Sequence, residues 1–154
     1  MYDILLFLHI VGACVLFGTG AGIAFFMLIS NQRGTPAEIA HVGGIVVLAD
    51  FVFTASDVIV QPITGWLLAR EAGWPMMEGW VLYSLCLYVM VGLFWLPVVW
   101  IQMQLHEMAK LAAATDTDLP PRYKKLYRVW ILCGFPAFIG VVGILWLMIT
   151  KPVW

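Results

Sequence analysis

Four long stretches of this chain are almost uninterruptedly apolar: Ile4 to Ser30, Val42 to Ala69, Gly79 to Met103 and Val129 to Ile149. Crossing a hydrocarbon layer about 30 Å thick takes roughly 20 apolar residues at about 1.5 Å of helix rise each. Each stretch therefore predicts one membrane-spanning helix. Turn-forming residues separate them: Asn31, Gly34 and Pro36, then Gly73 and Pro75, then Pro120 and Pro121. Connections this short make consecutive helices antiparallel neighbours. The expected fold is all-α, an integral membrane four-helix up-and-down bundle forming a single domain over residues 1–154. The third helix should continue past its apolar run to about residue 112, because Gln102, Gln104, His106, Glu107 and Lys110 follow without a breaker.

The polar positions inside the spans are few. In the second, Asp50, Thr54, Asp57 and Gln61 are spaced by four, three and four residues. At about 100° per residue that spacing predicts one narrow polar stripe, which Gly43 and Gly65 extend in both directions. An ionised Asp at a helix centre costs about 2.5–3.5 kcal/mol on insertion scales, so the stripe should face the bundle interior. Pro62 removes a backbone donor and predicts a kink toward the far end of that helix. In the third span Ser84, Tyr88, Trp95 and Gln102 share a face that would meet the stripe. In the first span His9 lies about five residues from the start, roughly 8 Å deep by helix rise. It is the only histidine well inside a span; His41 and His106 fall at or beyond the interface.

Composition and charge narrow the partners. The chain is 63% hydrophobic and 11% charged with a net charge of −1, and its mean hydropathy is +0.96. Soluble domains are about 45–50% apolar, so the lipid bilayer is the first partner, and the lack of a basic surface argues against nucleic acid. Of the 8 lysines and arginines, Arg33, Lys110, Arg122, Lys124, Lys125 and Arg128 fall on one side, against Arg70 and Lys151 on the other. Positive residues are retained in the cytoplasm, which places both termini outside. Trp66, Trp74, Trp80, Trp146 and Trp154 would form an outer aromatic belt, and Tyr123, Tyr127 and Trp130 an inner one. The acidic start Met1-Tyr2-Asp3 leads into a full-length span, so the first helix reads as retained rather than cleaved. Cys14, Cys86 and Cys133 make no C-x-x-C pattern and read as small apolar packing residues.

No nucleophile elbow, phosphate loop, dinucleotide fingerprint or H-E-x-x-H motif is present. The residues leave three functions open, of which haem or redox association is the expected one. His9 offers an axial ligand for haem iron, which points to a haem-associated or redox-linked protein carrying haem b. Asp50 and Asp57 offer titratable sites for a small proton-coupled transporter. A non-catalytic subunit of a homo-oligomer or larger membrane complex also suits the short connections. A hydrogen-bonded structural role is the simplest alternative for His9, and interhelical ties for the stripe.

The strings Leu8-His9-Ile10-Val11-Gly12, Val47-Leu48-Ala49-Asp50, Gln61-Pro62, Trp95-Leu96-Pro97 and Pro120-Pro121-Arg122-Tyr123 occur in that order, before Trp146-Leu147-Met148 and Lys151-Pro152. Together they resemble a bacterial family of predicted integral membrane proteins, domain of unknown function 2269. The resemblance covers essentially the whole chain and implies four spans in the bacterial inner membrane. More remotely, the first-helix Leu-His followed by small residues is similar to the copper-resistance D proteins and the HemJ-type protoporphyrinogen oxidases. The latter imply a haem role for the histidine that His9 matches. They also pair it with a third-helix lysine, and no lysine precedes Lys110 here, so the oxidase activity does not carry over.

Overall fold

The computed structural model describes residues 1–77 and 79–152. Its described residues form four long helices: α1 Tyr2–Arg33, α2 Pro36–Glu71, α3 Gly79–Ala114 and α4 Pro121–Thr150. At 30 to 36 residues each, they are about 45–54 Å long by helix rise, well beyond a hydrocarbon layer. All four are long and apolar enough to span a membrane. Both ends of the chain and the α2–α3 turn share one end of the bundle, the terminal end. The α1–α2 and α3–α4 connections lie at the other, the basic end.

Local chemistry sets the boundaries. α2 starts with Pro36 in the first turn and a reciprocal cap at Thr35. The Glu38 carboxylate accepts from the Thr35 backbone N–H at 2.7 Å, and Thr35 Oγ1 accepts from the Glu38 N–H at 3.4 Å. Gly34 is needed just before it: its N–H bonds Ser30 O at 2.8 Å, and a Cβ there would lie 2.6 Å from that same oxygen. α4 begins at Pro121 and ends on Lys151 in the left-handed region, whose N–H returns to Leu147 O. α2 and α4 overrun their apolar stretches because these caps, rather than hydropathy, end them.

Packing is uneven along the bundle. The close-packed core sits toward the basic end, where Ile23 and Met27 of α1 meet Ile39, Ala40 and Val46 of α2, Ile101, Leu105 and Ala109 of α3, and Tyr123 and Trp130 of α4. Toward the terminal end the second half of α2 packs on α1 and stands off from α3, while α3 packs on α4. There Gly140 lets α4 close on α3, a Cβ at that position lying 2.5 Å from Val91 Cγ2. Phe17 stacks on Phe138 with centroids 5.2 Å apart, joining α1 to α4. The apolar faces that remain, such as Phe7, Leu93, Leu132 and Ile139, are exposed, as lipid contact requires. Cys14 and Cys86 share that exposure, and only Cys133 is half-buried, so two of the three cysteines face lipid instead of packing inside. In the terminal belt Arg70 lies over the Trp66 ring at 5.7 Å and Trp74 meets Trp80 edge-on at 5.6 Å. Trp154 of the expected belt falls outside the described residues.

Two irregularities shape α2. Asp50–Thr54 forms a π-helical turn, which the sequence pattern did not predict. Downstream, Pro62 leaves the carbonyl four residues back, Val58 O, without its helical N–H. The Tyr88 hydroxyl of α3 donates to that oxygen, so the proline supplies the acceptor that ties α3 to the standing-off half of α2. Tyr88→Phe should therefore destabilise the protein by about 1–3 kcal/mol, the cost of an unmet buried acceptor. In a Pro62→Ala background, where the N–H of residue 62 takes over Val58 O, the same substitution should cost under about 0.5 kcal/mol. Unfolding of the four variants in detergent measures both steps of this cycle.

Candidate functional site

One extra residue in a helical turn rotates everything after it by about 100°. The π-turn lies between Asp50 and Asp57, and its effect is to divide the expected stripe between two neighbours. Asp50, Thr54 and Asp57 are buried and Gln61 is half-buried, so the group does face the interior. It does not form one wall. Asp50 points to α3 and α4, whereas Asp57 and Gln61 point to α1.

The first cluster ties three helices together. Trp95 Nε1 donates to Asp50 Oδ1 at 3.2 Å and Gln102 Nε2 to Oδ2 at 3.1 Å. Gln102 is fixed in turn by Trp130 of α4, whose Nε1 donates to Oε1 at 2.9 Å. Both carboxylate oxygens of Asp50 are thus matched by rigid donors. Trp130 begins an aromatic column toward the basic end, stacking on Tyr127 at 5.9 Å, which stacks on Tyr123 at 6.4 Å. The Tyr123 hydroxyl donates to Asn31 of α1 at 2.7 Å. His106, one turn beyond Gln102, lies against Gly43 and Gly44 of α2, with Nδ1 3.0 Å from Ala40 O.

The second cluster, nearer the terminal end, joins α1 to α2. His9 is 8% exposed and its Nδ1 lies 2.8 Å from Thr64 Oγ1. With the Thr64 hydroxyl proton on Val60 O at 2.9 Å, its oxygen is free to accept from His9 Nδ1–H. In the neutral ring this places the lone pair on Nε2. Gln61 Nε2 donates to His9 O at 3.1 Å and, more weakly, to Asp57 Oδ1 at 3.4 Å. The other carboxylate oxygen, Asp57 Oδ2, is buried and has no protein partner. Gly12 and Gly65 make this approach possible. A Cβ on Gly12 would collide with Gln61 and Asp57, and one on Gly65 would lie 3.2 Å from His9 Cε1.

Of the expected facing residues, Trp95 and Gln102 meet Asp50, and Tyr88 meets the backbone of α2. Ser84 turns back to Trp80 O on its own helix at 2.8 Å and joins neither cluster. Sequence reasoning missed Thr64 and Gly12, set His106 aside as interfacial, and placed Trp130 in the inner belt, whereas it is buried and bonds Gln102. Thr64 had a signal, lying one turn beyond Gln61 on the same face. His41 is exposed, as expected. Among the described residues no group of three or more His, Cys, Asp or Glu could hold a metal ion.

A bundle of four membrane-length helices closed around buried polar groups defines a multi-pass integral membrane protein. Residues 3–152 match the family described as "Predicted integral membrane protein (DUF2269)", and the chain belongs to it. No curated protein and no solved structure matches the chain.

Gly12→Ala should push Gln61 and Asp57 off α1 and cost about 1–3 kcal/mol, as overpacking does. Gly18, whose Cβ would meet nothing within 4 Å, provides the comparison. Gly18→Ala should be neutral or stabilising by up to about 1 kcal/mol through helix propensity. Detergent unfolding curves for both variants check this.

Proposed function

We propose that the chain is a small proton-coupled membrane protein whose protonatable element is the His9–Asp57 pair. The observation that carries this reading is the unmatched Oδ2 of Asp57. Hydrocarbon contains no water to satisfy a polar atom, and each unsatisfied group costs several kcal/mol. A carboxylate kept there with spare acceptor capacity is suited to take and release a proton, with His9 linked to it through Gln61, which bonds both Asp57 Oδ1 and His9 O. Asp50 is the contrasting case: both its oxygens are held by N–H donors, which suits a structural tie among α2, α3 and α4. The reading places the terminal end outside a bacterial cytoplasmic membrane, in keeping with the charge distribution.

A second reading has one observation in its favour. Thr64 holds His9 Nδ1 in the way that outer partners orient metal-ligating imidazoles, and Nε2 is the nitrogen that would ligate a b-type haem. A bound haem would supply one-electron chemistry there. Both readings need His9, and only the first needs the Asp57 carboxylate.

Reconstituted in liposomes with a trapped pH-sensitive dye, the wild-type protein should relax an imposed proton gradient. Asp57→Asn should slow that relaxation at least about tenfold, as loss of a proton-transfer group commonly does, while Asp50→Asn lowers stability first. Wild-type liposomes no leakier than empty ones would sink the proton reading. A reduced-minus-oxidised visible spectrum, lost in His9→Ala and kept in Asp57→Asn, would establish the haem reading instead.

A further inference from the structure

At the basic end a groove of about 540 Å³ runs between the last turns of α1 and the first of α2. Its floor is apolar, with Phe26 and Ile29 of α1 and Val42 of α2. Its rim is charged: Arg33 on one side, Glu38 and His41 on the other. Phe26 lies seven residues before Arg33, about 10 Å along the helix axis, so the floor leads from headgroup depth into the acyl region.

The rim charges are not used on one another. Among the described residues the ion pair is Lys110–Glu107, so Arg33 and Glu38 line the groove without closing onto each other. Glu38 is held in place by the helix cap, where Oε2 accepts from the Thr35 N–H and hydroxyl at 2.7 and 2.9 Å. Oε1 is left toward solvent. The groove therefore offers a forked cation, an imidazole and a fixed carboxylate oxygen above an apolar floor.

We infer that this groove binds phosphatidylethanolamine from the adjoining leaflet, with its phosphate on Arg33, its ammonium on Glu38 and an acyl chain along Phe26 and Ile29. Arg matches a phosphate bidentately. The ethanolamine ammonium sits two carbons from the phosphate and has three N–H groups for a carboxylate. Phosphatidylcholine presents the same charges without an N–H donor. Phosphatidylglycerol has the phosphate without a cation and would place its negative charge beside Glu38. The inference is independent of the proton reading, because the groove lies at the opposite end of α1 from His9.

Native mass spectrometry of the full chain, released from nanodiscs with equal amounts of the three lipids, tests it. The wild type should retain phosphatidylethanolamine about tenfold over either competitor, the scale of one charge-assisted hydrogen bond. Arg33→Gln should lower that retention about tenfold. Glu38→Gln keeps the helix cap, since Gln serves equally in a capping box, and should abolish the preference over phosphatidylcholine. Asp57→Asn should leave all three lipids as in the wild type. Preferential retention of phosphatidylglycerol by the wild type would overturn the inference, as would equal retention of all three lipids or an unchanged pattern in Arg33→Gln.

Discussion

A polar group inside a bilayer has no water to fall back on, and the second helix of this protein depends on that constraint along its whole length. Within its span it carries two aspartates, two threonines, a serine, a glutamine and a proline-freed carbonyl through a region where each unmatched group costs several kcal/mol. The hydrophobic effect does little to hold helices together in lipid, since the tails are as apolar as leucine, which leaves close packing and interhelical hydrogen bonds. Helix association here therefore follows the needs of α2. Trp95 and Gln102 converge on Asp50 with Trp130 holding Gln102, Tyr88 reaches Val58 O, and α1 comes close enough at Gly12 for Gln61 to bond His9 O.

The π-turn gives this arrangement its direction. Without it, Asp50 and Asp57 would differ by seven α-helical residues and point nearly the same way. With it, one serves the α3–α4 side and the other α1. That division separates two jobs that a single stripe would combine. Both oxygens of the Asp50 carboxylate are matched, by Trp95 and Gln102 in the tightly packed half. The Asp57 cluster lies where α2 stands off from α3, and it keeps a buried oxygen without a partner. In the proton-coupled reading, chemistry and cohesion fall to different acids on one helix, the incompletely matched one in the looser half of the bundle.

Small residues complete the design at both ends. Gly43 and Gly44 admit His106 near the basic end, and Gly12 and Gly65 admit Asp57, Gln61 and His9 near the terminal end. Each removes a side chain where a polar group from a neighbour must pass. The lipid groove at the α1–α2 turn follows from the same economy of space: a tight turn through Gly34 and a capped helix start leave charged residues at headgroup depth above an apolar floor.

The amino-acid sequence by itself determined the number of helices, their spanning character and the burial of Asp50, Asp57 and their neighbours, because hydropathy and the charge of a side chain act on each segment independently of its partners. It also singled out His9, Tyr88, Trp95 and Gln102. It did not determine which neighbour each polar residue meets, since angular position was read on an ideal α-helix and the π-turn adds about 100° that no local propensity signals. The roles of Thr64, Trp130, Gly12 and His106 were likewise decided only in the tertiary structure. Each depends on a contact across helices, between residues that are 55, 28, 45 and 66 positions apart in the chain.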